Sequence, residues 1–589
     1  MKRTYLVIIS FALTIASFGQ GSPNFIVILA DDQGWTGTSV AMDPDNPETK
    51  SDFYETPNLE TLAARGMRFS QAYASAPKCS PSRMSMLTGQ TSARNHFTNT
   101  SSNVTEGKTL IEPSSNKAIP DDAVTIGTYL GDIPGKNYTS AYFGKWHLGN
   151  DGPEAHGFDA SDGTTSNGDG DNSLSTHDDP KQIFSMTQRG IDFMNNAISE
   201  SRPFYLQLSH YAVHTQVEST AETLAKYENK AIGSDHDNAS YAAMTEDLDA
   251  SVGLVLAYLE EKGIADNTYV IYTSDNGAQT NLSSNAPLKY GKTFVYEGGI
   301  RVPMIVAGPN IPANSHSKMP IVGYDFLPTI YDLIGENLDD LKDIDGVSFK
   351  SVLESGQSID RDPLIFHSPH YENNRLKTPR SAIVDGEHKI VVEYETGERQ
   401  GYDLGADIGE SSNVFDFSED EDAELLIRLR DYFQLVDAQL PLYSSSDDDT
   451  DSDGLPDEWE FSWMLGTLYD ASDDPDNDGY TNTQEYENET DPLTFNEPGE
   501  ESESLSAVHI QQPIIYPNPT TSELRIRLNE TELVTAKFTI RDINGRLFLE
   551  KELMELETTI SVESLPRGIY IYHISNDYSF KMTGRMVVE

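Results

Sequence analysis

Phe25-Ile26-Val27-Ile28-Leu29-Ala30 is an unbroken apolar run, and it ends without a spacer in Asp31-Asp32-Gln33-Gly34. A short run with no polar alternation predicts a strand covered on both faces, as in the centre of a parallel sheet. The acidic pair then falls at the carboxyl end of that strand, where open α/β sheets gather their chemistry. Further strands are predicted at 140–143, 204–209, 268–273 and 304–307, with helices at 58–66, 123–130, 188–198 and 241–261. Strands alternating with amphipathic helices over roughly 300 residues predict an α/β sandwich with helices on both faces.

Residues 340–440 read differently, with β-rich segments at 381–383 and 389–393 and a helix at 423–435. They predict a smaller antiparallel sheet packed on the main one. Ser444-Ser445-Ser446-Asp447-Asp448-Asp449 is a polar, acidic linker. Beyond it lie two repeats. Asp449, Asp451, Asp453, Gly454, Leu455, Asp457 and Glu460 occupy places 1, 3, 5, 6, 7, 9 and 12 of an EF-hand-like calcium loop, and Asp474, Asp476, Asp478, Gly479, Tyr480, Asn482 and Glu485 repeat them. Calcium needs several oxygen ligands around a tight turn that glycine permits. A periodic but merely solvated acidic linker is the alternative. The final segment, 508–589, alternates short strands, such as 524–528, 536–541 and 568–574, and predicts a small β-sandwich.

The expected division is a signal peptide at 1–19, an α/β core at 20–335, its C-terminal subdomain at 336–443, an acidic calcium-binding spacer at 444–500 and the β-sandwich at 508–589. Met1-Lys2-Arg3 leads into an apolar stretch and then small residues, the pattern of a secretory signal; a buried N-terminal helix or strand is the alternative. No later stretch is apolar and long enough to span a membrane.

Charge restricts the partners. With 41 Lys plus Arg against 95 Asp plus Glu, the net charge is -54, which argues against nucleic acid. It also repels anionic substrates at long range, so an anionic ligand needs a local island of positive charge. The single cysteine, Cys79, has no internal disulfide partner. That leaves it as buried filler, an intermolecular partner or a chemical group.

Two sets of residues carry potential chemistry. Asp31 and Asp32, with Asp275-Asn276-Gly277 after the strand ending Ile271-Tyr272-Thr273, would suit a hard divalent cation, calcium before magnesium. Alone, an Asp-Asp pair after a strand is as readily a helix cap. The basic set is Arg83, Lys145, His147, His214 and Lys292, in compact contexts such as Gly144-Lys145-Trp146-His147-Leu148-Gly149. Together they would form the island that an anionic ester requires.

Cys79-Ser80-Pro81-Ser82-Arg83, continued by Leu87-Thr88-Gly89, resembles the signature of formylglycine-dependent sulfatases. The resemblance extends through Gly144 to Gly149, His214, Asp275-Asn276-Gly277, Lys292, Glu297-Gly298-Gly299-Ile300-Arg301-Val302-Pro303 and Tyr402-Asp403-Leu404, and covers about residues 22–435. It implies an alkaline-phosphatase-like α/β fold and a sulfuric ester hydrolase. A maturation enzyme would oxidise Cys79 to formylglycine, whose hydrate attacks sulfur. The resemblance assigns Asp31, Asp32, Asp275, Asn276 and modified Cys79 to calcium. Arg83 would hold the aldehyde hydrate, and Lys145 and Lys292 the sulfate oxygens. His214, with Lys292, would protonate the leaving oxygen, and His147 would take a proton from the second hydroxyl. Tyr516-Pro517-Asn518-Pro519, Asp542-Ile543-Asn544-Gly545-Arg546 and Leu565-Pro566-Arg567-Gly568-Ile569-Tyr570 resemble the C-terminal sorting domain of the type IX secretion system of Bacteroidota. That implies export through the periplasm to the cell surface or medium; a carbohydrate-binding module is the alternative.

Export, acidity and added modules fit a sulfated polysaccharide outside the cell, such as algal ulvan, carrageenan or fucoidan. Asn99, His177, His367, His370, Tyr371 and Arg380 lie in loop-like stretches and are candidates for sugar subsites. A phosphate or phosphonate ester hydrolase of the same fold and a non-catalytic glycan-binding protein are the competing functions.

Overall fold

The computed structural model describes residues 21–100, 108–372, 378–416, 420–443, 449, 451–467, 469–476, 478–488 and 490–494, and, further on, 514–516, 523–527, 537–542, 547–553, 557–562, 565, 568–575 and 581–588. The expected signal peptide, the linker 444–448 and parts of the sorting motifs (517–519, 543–546 and 566–567) lie outside these residues. The chain divides into two units, 1–498 and 499–589.

The main sheet of the first unit has eight strands: β1 (Asn24–Ala30), β2 (Met67–Phe69), β3 (Thr139–Gly144), β4 (Ala160–Ser161), β5 (Phe204–Ser209), β6 (Thr268–Ser274), β7 (Ile305–Ala307) and β8 (Ser315–Ser317). Their spatial order is β8-β2-β7-β6-β1-β5-β3-β4. β4, β3, β5, β1 and β6 run parallel, whereas β7 is antiparallel to both β6 and β2. The sheet is therefore mixed.

The opening apolar run is central, as its composition requires. Ile26, Ile28 and Ala30 point to one face and share a core with helices α1 (Pro57–Arg65), α4 (Ile183–Ser199) and α5 (Ala239–Lys262), through Leu59, Leu62, Met194 and Leu248. Phe25, Val27 and Leu29 point to the other and meet α2 (Cys79–Thr88), α3 (Ile126–Asp132) and α6 (Phe326–Ile334), through Leu87, Leu130 and Ile330. The strand period of two thus feeds two separate cores.

Strand register aligns the loops that leave this sheet. Leu29 pairs with Ser209 and Thr273, and Gly144 pairs with Ser209. The carboxyl ends of β3, β5, β1 and β6 are therefore level, and Lys145, His210, Asp31 and Asp275 leave the sheet along one edge.

A second sheet, β9 (Leu364–Ser368), β10 (Arg380–Asp385), β11 (His388–Glu393) and β12 (Arg399–Asp403), is antiparallel in sequence order. Phe366, Ala382 and Val391 face Tyr73, Val295 and Ile300 of the main body. Ile365, Ile383, Ile390 and Val392 face Leu426 and Leu429 of α7 (Asp420–Leu435), and Phe461 and Met464 of α8 (Asp457–Met464) join the same cluster. The acidic stretch expected as a spacer is thus packed on the second sheet.

The second unit contains a three-stranded and a four-stranded antiparallel sheet, whose Leu524, Ile526, Phe538, Ile540, Ile560 and Tyr570 form one apolar cluster. Among the described residues, no helix is long and apolar enough to cross a membrane.

Candidate active site

Cys79 is the first residue of α2, and every residue of that helix is buried. Helix periodicity places Arg83 one turn on, over the same face. Its guanidinium donates to Asp275 Oδ2 from Nε (2.9 Å) and Nη2 (2.7 Å), and from Nη1 to the Lys145 carbonyl (2.6 Å) and Ser209 Oγ (2.9 Å). One fully buried arginine thereby ties together the ends of β6, β3 and β5.

The carboxylates answer from the same edge. Lys145 Nζ lies 2.6 Å from Asp31 Oδ2, and Lys292 Nζ lies 2.6 Å from Asp32 Oδ1 and 3.3 Å from Cys79 Sγ. Cys79 Sγ is 3.5 Å from Asp31 Oδ1, and His214 Nε2 is 3.7 Å from Asp32 Oδ2. Asp31, Asp32, Asp275 and Cys79 each present one atom within 4.8 Å of the others. Asn276 donates from Nδ2 to Asp32 Oδ1 (2.7 Å), while its buried Oδ1 has no hydrogen-bond donor. Leaving a buried amide oxygen unmet costs about 1–3 kcal/mol. An orphan oxygen beside three carboxylates is a donor set that fits a hard divalent cation.

Burial pushes the Asp31 carboxyl up, but Lys145, His214, Arg83 and Lys292 outweigh it and hold it well below the usual range. Asp275 goes the other way: burial and then Asp31 raise it against Arg83. Burial lowers Lys145 and Lys292, yet Asp31 and Asp32 respectively overcome that and leave both ammoniums raised. Burial, with Asp275 next, pushes the Cys79 thiol up. As a plain thiol it is therefore a poor nucleophile despite its place at a helix N-terminus.

His147 lies near the cluster, close enough for Lys145, Arg83, Asp31 and Lys292 to act on its ring. Its backbone is left-handed, with φ 59°, held by Ser80 Oγ donating to its carbonyl (2.7 Å) and its own N–H donating to the Thr165 carbonyl (2.8 Å). Burial, then Lys145 and Arg83, lower its ring to about 3. With Ser80, Asn99, Lys117, Asn150 and Thr165 it lines a cleft of about 530 Å³.

All ten expected core residues, Asp31, Asp32, Cys79, Arg83, Lys145, His147, His214, Asp275, Asn276 and Lys292, are thus brought to one sheet edge. Sequence reasoning missed Ser209 and Tyr142, whose hydroxyls share a 2.8 Å hydrogen bond beside Arg83. Neither stands out locally, because strand register rather than a motif places them there. Of the sugar-subsite candidates, only Asn99 lines the cleft. His367 is a satisfied core histidine, bonded to Ser381 Oγ and the Gln439 carbonyl. His370 meets Thr98 and Glu112, Tyr371 meets Glu395, Arg380 lies over Tyr296, and His177 accepts from Asp179 N.

Gly144 links β3 to Lys145 with φ 92°, and an added Cβ would lie 2.1 Å from the Ser209 carbonyl. Gly144→Ala should lower folding stability by about 2–5 kcal/mol, from the left-handed backbone and the clash together. Denaturant unfolding measures it; a loss under about 1 kcal/mol would show that the strand ends shift freely.

The sequence model of the family described as Sulfatase matches residues 23–336, more than half of the chain. The chain belongs to the sulfatase family. Residues 288–438 of this sulfatase also match the model described as N-sulphoglucosamine sulphohydrolase, C-terminal. Similar proteins include a Sulfatase of Formosa agariphila, 29% identical over 67% of this chain and 84% of the relative. The N-acetylgalactosamine-6-sulfatase of Mus musculus is 28% identical over 69% and 79%. The fold is shared with crystalline Ps i-CgsB in complex with k-i-k-neocarrahexaose, with TM-score 0.58, 24% identity and coverage of 70% of this chain and 93% of that one. It is also shared with the phosphonate monoester hydrolase of Agrobacterium radiobacter, with TM-score 0.52, 16% identity and coverage of 70% and 95%. Residues 514–589 match the Secretion system C-terminal sorting domain, which marks the sulfatase for export by a secretion system.

Proposed function

We propose that this sulfatase removes sulfate from an extracellular sulfated polysaccharide or oligosaccharide, using formylglycine made from Cys79 and a calcium ion held by Asp31, Asp32, Asp275, Asn276 and the modified Cys79 side chain. The observation that carries this is the buried meeting of Cys79 with three carboxylates and three permanent cations in a chain of net charge -54. Those six charges cancel. A bound divalent cation would leave the pocket net positive, the island that an anionic ester needs, and would offset charge on the sulfuryl oxygens. Formylglycine, as its hydrate, supplies a hydroxyl nucleophile where the raised thiol cannot.

Each remaining role rests on this chain's own groups. Arg83, fixed by Asp275 and Ser209, neither rotates nor loses its charge, and it orients the nucleophile at the helix terminus. Lys145 and Lys292 offer ammonium donors to sulfate oxygens. His214 and Lys292 sit beside Asp32, where a proton can pass to the leaving oxygen. His147 is neutral at neutral pH and can accept the proton of the second hydroxyl. Fixed donors of this kind contribute about 3 kcal/mol each.

The implied partners are a formylglycine-generating maturation enzyme, secretion machinery reached through the periplasm, and a sulfated glycan such as ulvan, carrageenan or fucoidan. A polar cleft beside His147 and the neocarrahexaose complex of Ps i-CgsB support a sugar substrate. A phosphate or phosphonate ester hydrolase is the second reading, favoured only by the shared fold of the Agrobacterium enzyme. Parallel assays of sulfate and phosphate monoesters, after coexpression with the maturation enzyme, separate the two. Sulfate release should dominate; a preference for phosphate would overturn the reading. Desulfation of defined algal oligosaccharides, with products read by NMR, then identifies the glycan.

A further inference from the structure

Two acidic loops, 449–460 and 474–485, take no part in the sulfatase chemistry. Asp449, Asp451 and Asp453 bring one oxygen each within 4.8 Å of one another, and Asp474, Asp476 and Asp478 do the same. The first aspartate of each loop ties the turn. Asp449 accepts from Asp453 N (3.1 Å) and Gly454 N (3.1 Å), and Asp474 accepts from Asp478 N (3.1 Å) and Gly479 N (3.0 Å). Gly454 and Gly479 take φ 103° and 97°, where a side chain would be strained.

Acidic turns alone are common on surfaces. Here the interior decides. Glu460, in the first turn of α8, is fully buried, and neither of its carboxylate oxygens has a hydrogen-bond donor. Asn482 in the other loop is equally buried, and its Oδ1 has none either. Asp451, Asp453, Asp457 and Asp449 all lie near enough to act on the Glu460 carboxyl. A buried carboxylate without donors among like charges is costly unless a cation takes its oxygens. The donors are all hard oxygens and numerous, which favours calcium over magnesium.

The loops are also joined to the catalytic unit. Phe461 and Met464 of α8 enter the cluster of Ile390, Val392, Leu426 and Leu429. Arg430 of α7 pairs with Asp491 at 2.7 Å, and Arg399 of β12 donates to the Met464 carbonyl. Ala471 N donates to Asp453, which couples one loop to the other. We propose that each loop binds one calcium ion, and that the two ions clamp the acidic segment onto the second sheet, making that sheet's stability calcium-dependent separately from the active site.

Calorimetric titration of calcium into the calcium-free full chain carrying Asp31→Asn, which disables the active-site cluster, tests the sites. One ion should bind per loop, and Glu460→Gln and Glu485→Gln should each abolish one. No uptake, or uptake unchanged in the double variant, would overturn the sites; an equal response to magnesium would overturn the choice of ion. Hydrogen exchange on the Asp31→Asn chain tests the clamp without calcium at the active site. Calcium should slow exchange in 457–464 and in β11, and exchange there that ignores calcium would overturn it. Loss of either result leaves the sulfatase reading intact, because that is measured by sulfate release.

Discussion

Cys79→Ser should release at most one equivalent of desulfated alcohol per chain, retain the sulfo group on its side chain, and then stop. A serine hydroxyl at this position can accept a sulfuryl group, but it has no second hydroxyl on the same carbon to expel sulfate by C–O cleavage. Restart would need water to attack sulfur within a site whose groups are arranged around the first nucleophile. The substitution is small and the site is buried, so the fold should survive it, with thermal unfolding close to that of the parent. Alcohol and sulfate quantified per mole of protein, with intact mass showing whether a sulfo group is retained, give the outcome. Continued turnover beyond one equivalent would remove formylglycine from the mechanism.

The second large effect is expected at Arg83, in stability and activity together. Arg83→Ala strands Asp275, which is fully buried and already raised by burial and Asp31. Breaking a buried pair from one side costs about 3–5 kcal/mol. It also frees Ser209 and the Lys145 carbonyl from their common donor. Loss of one aligned donor typically lowers kcat about 10²–10³-fold. Arg83→Lys keeps the charge but not the planar fork, so it should recover more stability than rate. Denaturant unfolding and kcat on a sulfate ester measure the two effects separately. A stable, active Arg83→Ala chain would show that Asp275 does not depend on it.

How far these features could be read in advance depended on their physical origin. The central strand was legible because burial on both faces erases alternation, and Asp31 and Asp32 followed from its end. The long helices were legible from their apolar stripes. α2 was not anticipated as a helix: it is buried all round, so it has no stripe, and its Ser-Pro-Ser opening reads as a turn. β2 and β8, of three residues each, are too short to display a period. Ser209 and Tyr142 act through register, which no local pattern encodes. His367 resembled a subsite residue only because its partners, Ser381 and Gln439, are distant in sequence. In the acidic segment the charge pattern hid a second signal, Phe461 and Met464, which tie it to the catalytic unit.

The burial of α2 also sets an order in time. Cys79 is 1% exposed, so on the proposed reading a maturation enzyme would reach it before the core closes. Closure needs β6, because Arg83 is held by Asp275, 192 positions further along the chain. At about 5–20 residues per second, synthesis leaves an interval of roughly 10–40 s between the two segments. During that interval Arg83 has no Asp275 to pair with. On the proposed reading, the interval before β6 completes the site is when such a maturation would take place.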